Sequence, residues 1–271
     1  MKLREAFPNS VQLNVDTRAL LDVAFSSASQ AASIHRERQS DVLQISRKEL
    51  NDIVTEVDTE AETAILKTIY DRFPSHSIKS EETGDRLTGD DHQWVIDPLD
   101  GTVNYAAGNP FYSSSVAVQR NGVTEVGVIV SSPLNEYYVT VRGFGAFLNG
   151  SPIRASERSV LSDSTLSFML TSHYSSAHQD DILHRVSVLS PKVRGLRLYV
   201  SQALELGFIA CGRLDGHVCI KSRGYSAAAG VLLLREAGGR VTDLHGDEFS
   251  NSARSLLASN GLLHDELMAL S

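Results

Sequence analysis

The stretch that most constrains this chain is Trp94-Val95-Ile96-Asp97-Pro98-Leu99-Asp100-Gly101-Thr102-Val103-Asn104, an apolar run ending in two carboxylates three residues apart. Bulky and β-branched residues in a short run predict the end of a buried strand. Pro98 fixes its own φ and pushes Asp97 into an extended conformation, so the strand is expected to stop there. Gly101 permits a tight turn, which lets Asp97, Asp100 and Thr102 converge on one point rather than alternate across a sheet. Carboxylates and carbonyls gathered in this way form the oxygen-rich ligand set that Mg²⁺ prefers. Taken alone, Asp-Pro-x-Asp-Gly also fits a turn whose aspartates cap backbone N–H groups.

Composition sets the outer bounds. A chain of 271 residues, 42% hydrophobic, can bury the core of one large domain or two small ones. A formal charge of −8 argues against nucleic acid or an anionic membrane as the main partner. An acidic protein that handles an anionic substrate then needs local positive charge, and bound metal is one source. No run approaches the roughly 18 apolar residues of a membrane span, and Met1-Lys2-Leu3-Arg4-Glu5 lacks the apolar core of a signal peptide. A cytoplasmic protein is expected. Cys211 and Cys219 lie in apolar surroundings and read as reduced thiols, with a disulfide left open.

Along the chain, residues 1–13 read as a loose lead-in. Asp16-Thr17 can cap a helix carrying Leu20, Leu21, Ala24, Phe25, Ala28 and Ala31 and fading near 35–39. An extended piece, 48–55, leads into a second helix that stops before Pro74. Asp58 and Glu62 share a face of it, and spacing alone reads them as solvated charge. Ser77-Ile78-Lys79-Ser80 forms a short strand that delivers Glu81 and Glu82, and the polar residues 83–92 read as a loop. Strands follow from Tyr112 to Gln119, Val123 to Ser131 and Glu136 to Arg142, with Asn121-Gly122 the strongest hairpin signal. Residues 151–164 are the candidate junction, and the alternation of strands and helices beyond them predicts an α/β half. The division is therefore a metal-binding α+β half with a mainly antiparallel sheet, 1–155, and an α/β half, 156–271. The nine histidines show no metal-ligand spacing and read as structural or surface residues.

Three blocks together resemble the inositol monophosphatase family. The turn matches its Trp-x-x-Asp-Pro-Ile/Leu-Asp-Gly-Thr-x-Asn signature; Asn51-Asp52-Ile53-Val54-Thr55-Glu56-Val57-Asp58 with Glu62, and Ser80-Glu81-Glu82, match two more, all in order. The resemblance implies an α+β fold, the layered αβαβα sandwich of the inositol monophosphatase and fructose bisphosphatase type. It implies Mg²⁺-dependent hydrolysis of the phosphate monoester of a small metabolite, a homodimer, and the following roles. Glu81, Asp97, Asp100 and the Leu99 carbonyl would hold metal, with Glu81 and Thr102 preparing the attacking water. Asp58 would hold Thr102 or a metal-bound water. Backbone N–H groups at Gly101 and Thr102 would take phosphate oxygens, and Lys48 would lie near the phosphate.

One part of the pattern departs. The family's late Trp-Asp-x-Ala-Ala-Gly is here Tyr225-Ser226-Ala227-Ala228-Ala229-Gly230, so Ser226 stands where an aspartate would bind a second metal. The family's acid that meets substrate hydroxyls falls on Cys219, and its Gly-Ser/Thr-Ala-Ala segment is here Val200-Ser201-Gln202-Ala203, so the resemblance implies that the 156–271 half contributes the substrate wall. Ser is also among the best helix N-caps. Lys221 and Arg223 sit in the same wall and read either as a solvated loop or as a seat for an extra anionic group on the substrate. The alternatives to a phosphatase are a diverged member acting differently on an anionic intermediate of a specialised biosynthetic pathway, and a non-catalytic relative. Clustered carboxylates, costly without a cation, argue against the last.

Overall fold

The computed structural model describes every residue except 9, 42–44, 48–52, 172–173, 251 and 271. Its helices are α1 (Leu3–Ala6), α2 (Val15–Arg38), α3 (Glu56–Arg72), α4 (Thr102–Ala106), α5 (Ser176–Leu189), α6 (Gln202–Ala210), α7 (Gly224–Glu236) and α8 (His264–Leu270). The first strands are β1 (Ile45–Arg47), β2 (Ile53–Thr55), β3 (Ser77–Ser80), β4 (Gly84–Arg86), β5 (His92–Asp100), β6 (Ser113–Arg120), β7 (Val123–Ser131), β8 (Glu136–Val141), β9 (Ala146–Leu148) and β10 (Ser151–Pro152). The later ones are β11 (Thr165–Phe168), β12 (Gly195–Arg197), β13 (Gly216–Cys219), β14 (Arg240–Thr242) and β15 (Leu256–Ser259).

Strands β10-β9-β8-β7-β6-β5-β3-β4 form one sheet and β12-β11-β13-β15-β14 a second, while β1 and β2 pair antiparallel as a separate two-stranded sheet. Period-two alternation decides what each face of the large sheet covers. Trp94, Ile96, Val116, Val118, Val126, Val128 and Val139 point to a core shared with Leu21, Ala28, Ala61 and Ile65 of α2 and α3. Val95, Ala117, Ile129 and Tyr138 point the other way, into a core shared with α6, α7 and the small sheet. Helices α5 and α8 lie on the far side of that sheet, against its Leu166 and β15. The order helix, sheet, helix, sheet, helix is the expected αβαβα sandwich. Close approach at its centre depends on glycine: a Cβ on Gly127 would meet Ala229 O at 3.0 Å, and one on Gly230 would meet Leu206 side-chain atoms at 2.7 Å.

Four local expectations are corrected. The lead-in contains α1, and Phe7 after it is fully buried against Phe147, an edge-on ring contact of 5.0 Å. Residues 84–86 are not loop but β4, pairing antiparallel with Ile78–Ser80. Pro98 does not end the strand. Strand β5 continues to Asp100, with Asp97 paired to Ser115 and Asp100 to Ser113 across a bulge that absorbs the proline's missing donor. The small sheet is parallel only in β12-β11-β13 and antiparallel beyond, through the unforeseen β15.

Candidate active site

The bulge gathers the predicted carboxylates. Asp97 is 1% and Asp100 7% exposed, and both line, with Glu81, Leu99, Gly101 and Thr102, a cleft of about 210 Å³. Gly101 sits at φ 94° before α4, and a Cβ there would lie 2.6 Å from Phe111 O, so only glycine fits. The Thr102 hydroxyl lies 2.9 Å from Asp58 Oδ1 and 3.0 Å from the Leu99 carbonyl. Asp58 reaches it because Thr55 and Asp58 form a capping box at the start of α3: the Thr55 N–H and hydroxyl donate to Asp58 Oδ2 at 2.8 and 2.7 Å. The solvated reading of this helix face is wrong, since Asp58 and Glu62 are each 1% exposed.

The second half closes the site. Ser226 Oγ donates to Asp97 Oδ2 at 2.5 Å, and Arg223 Nη1 pairs with Glu81 Oε1 at 2.7 Å. Asp100 meets the start of α6: Ser201 Oγ at 2.6 Å, Gln202 N at 3.2 Å and Ala203 N at 2.8 Å all donate to it. Burial, then the neighbouring Glu81, drives Asp97 well above the ordinary carboxylate range. Burial also pushes Asp100 up to about 7, against the lowering pull of Ser201 and Ala203. Asp97 Oδ1 is buried with no hydrogen-bond partner among the described residues, although a carboxylate so placed needs one. An orphaned carboxylate oxygen beside two further carboxylates and a carbonyl fits a hard divalent cation.

Cys219 and Lys221 line the cleft, Cys219 buried and Lys221 exposed; Cys211 and Cys219 are both free thiols. Lys48 lies outside the described residues. A family model for the inositol monophosphatase family matches residues 16–271. The chain belongs to that family. Inositol monophosphatase 3 of Solanum lycopersicum is 36% identical over 257 residues, covering 93% of this chain and 96% of that one. Nus factor SuhB of Escherichia coli (strain K12) is 36% identical over 244 residues, covering 89% and 91%. Among solved structures, the IMPase of Thermotoga maritima superposes with a TM-score of 0.86 at 32% identity, covering 93% and 96%. Inositol monophosphatases are metal-dependent phosphoric monoester hydrolases, and this chain is a member of that enzyme class.

Three contributors were not visible as such in the sequence. Glu62 accepts from the Ser80 hydroxyl and from Thr83 N at 3.1 Å, and so braces both sides of Glu81. Asn104 Nδ2 donates to Phe111 O at 2.8 Å and Tyr199 O at 2.6 Å, tying the metal turn to the wall. Val200 has φ 58°, a left-handed backbone that costs a β-branched residue about 1–3 kcal/mol. Its signal was the replacement of glycine in the family pattern. Away from the cleft, His76, Asp90 and His92 come within metal-ligating reach despite their unpromising spacing. Their protein partners account for them: Trp94 donates to His76 Nδ1 at 3.1 Å, and Arg120 to His92 Nε2 at 3.1 Å. The two imidazoles stack 8° from parallel, which aims their nitrogens side by side rather than at a common point.

Proposed function

We propose that this protein hydrolyses the phosphate monoester of a small metabolite carrying a further anionic group, with Mg²⁺ held by Glu81, Asp97, Asp100 and the Leu99 carbonyl. The observation that carries the reading is the cationic wall beside intact carboxylates: Arg223 at 2.7 Å from Glu81 and Lys221 on the same cleft. Mg²⁺ bound among these oxygens supplies a lowered water pKa and neutralises phosphate charge. The chain's own groups do the rest. Asp58 is the stronger of the two acceptors facing Thr102, so the threonine donates to it and turns a lone pair toward the cleft. Thr102 and Glu81 then orient the attacking water, and Thr102 takes its proton while passing its own to Asp58. Gly101 and Thr102 offer backbone N–H groups to the phosphate, and Arg223 reaches the substrate's second anion. A homodimer in the cytoplasm completes the proposal; sedimentation should give twice the chain mass of 29.5 kDa.

The test is phosphate release from a phosphomonoester panel, with and without a second anionic group, for the wild type and Arg223→Ala. A rise in KM confined to the anionic members is expected; unchanged affinity for all of them would sink the reading. Ser226 favours a second possibility, a family site redirected to another reaction on an anionic intermediate. Release by Ser226→Asp alone, across a wide Mg²⁺ titration, would select it.

A further inference from the structure

The cleft has two unlike sides. Besides the carboxylates it is lined by Met169, Leu170, Thr171, Tyr174, Val200 and Cys219, most of them apolar. Three features of this wall bear on what touches it. Val200 holds φ 58°, fixed because the chain must turn there to bring Ser201, Gln202 N and Ala203 N onto Asp100. Glycine would make the same turn without strain. What valine adds is its side chain on the cleft.

Cys219 occupies the position where the family pattern places an acid for substrate hydroxyls. It is 1% exposed, its Sγ lies 3.8 Å from Tyr174 Oη, and burial pushes the thiol up to about 12, so it is neutral. Gln202, the amide on this side, is turned to Ser222, donating from Nε2 to Oγ at 3.0 Å. These three positions thus present a methyl pair, a neutral sulfur and an amide already engaged.

We infer that the leaving alcohol is held by a hydrocarbon face, an alicyclic or aromatic skeleton, rather than by a ring of hydroxyls. This rests on the phosphatase reading above and specifies the alcohol half of its substrate. A hydroxyl pressed on Val200 or Cys219 loses water and meets no charged acceptor in either side chain, so polyol phosphates are disfavoured there. Val200 and Cys219 set that preference, and the substrate's anionic group extends past them toward Lys221.

A matched pair tests this: cyclohexyl phosphate and myo-inositol 1-phosphate share a ring and an alkyl leaving group and differ in ring hydroxyls. At saturating Mg²⁺ the wild type should favour cyclohexyl phosphate in kcat/KM by about ten- to a hundredfold. Val200→Gly should shift the ratio toward the inositol ester by about tenfold with no loss in Tm, and Cys219→Glu should shift it the same way. If Cys219→Glu fails to fold, Val200→Gly decides. Calorimetric binding of cyclohexylphosphonate against myo-inositol 1-phosphate reads the wall without turnover. Tighter binding of the phosphonate, weakened by Val200→Gly, with neither ester hydrolysed, would keep the wall and remove the phosphatase reading. Equal or inverted preference in the wild type, a ratio unmoved in the variants, or binding of neither ligand would overturn the inference.

Discussion

Ser226 donates a hydrogen bond to Asp97 at the position where a carboxylate would repel it. Without metal the serine is therefore the more comfortable neighbour; with metal it is the poorer ligand. Asp100 compounds the effect, because three donors from Ser201, Gln202 and Ala203 already occupy most of its roughly four lone-pair directions. A second cation should bind weakly. Ser226→Asp is expected to tighten that weaker Mg²⁺ site at least about tenfold, since loss of even an outer partner costs that much. The same variant should lower Tm without metal and raise it with metal, because it adds an anion to a buried cluster. Calorimetric Mg²⁺ titration and paired melting curves read both signs; a Tm that falls equally in the two conditions would mean that residue 226 does not face a cation.

At the scale of elements, the site depends on how α3 meets β3. Glu62 joins them through Ser80 and Thr83, which flank Glu81. Glu62→Ala would strip the buried Ser80 hydroxyl of its acceptor, at about 1–3 kcal/mol, and release Thr83 as well. It should weaken Mg²⁺ binding about ten- to a hundredfold by freeing Glu81. Glu62→Gln keeps an acceptor and should recover most of the affinity; no recovery would assign Glu62 to the charge of the site rather than to its geometry.

These elements also show what was legible in the sequence. The motif blocks gave the family, the αβαβα layers and the carboxylates at the turn, because spacing within a strand-turn-helix segment is local. Helix α3 was legible from its period, yet the burial of Asp58 and Glu62 was not, since i to i+4 spacing says which residues share a face but not what covers it. Pro98 misled because a lone proline reads as a strand end, whereas a bulge tolerates it. Strand β4 escaped because Gly84–Arg86 is too short and polar to show alternation. The His76, Asp90 and His92 cluster depends on strand pairing between residues far apart in the chain.

At the scale of the whole molecule, the cleft lies where the two sheets share the core around α6 and α7, and that core holds charge as well as hydrocarbon. Glu205 and His217 are fully buried 3.5 Å apart, with Ser167 Oγ 2.9 Å from His217 Nδ1. Burial pushes His217 from 6.5 down to about 3 and raises Glu205 well above 4.5; a Glu205 that keeps its proton through neutrality would leave the folded pair carrying one. The unfolded pair carries none above 6.5, one between 4.5 and 6.5, and two below 4.5. Stability rises with pH where the unfolded chain binds more protons and falls where it binds fewer. A pair so protonated stabilises most between 4.5 and 6.5 and less on either side. His35, lowered to about 3, and His264, lowered to about 4, both by burial, add loss as pH drops below 6.5. Without metal, Asp100 adds loss as pH rises toward 7, since its raised folded pKa means that it binds a proton the unfolded chain has released. Each such proton contributes a slope of about 1.4 kcal/mol per pH unit. Urea unfolding of the metal-free protein should thus show stability falling from pH 6.5 to 8, and Mg²⁺ should flatten the part that belongs to the carboxylates of the cleft. Glu205→Gln, which stays neutral at every pH, should remove one proton's worth of slope above 6.5 with Mg²⁺ present. An unchanged slope in that variant would mean that the buried pair carries no proton at neutral pH, and that Glu205 is a stabilised anion inside the core.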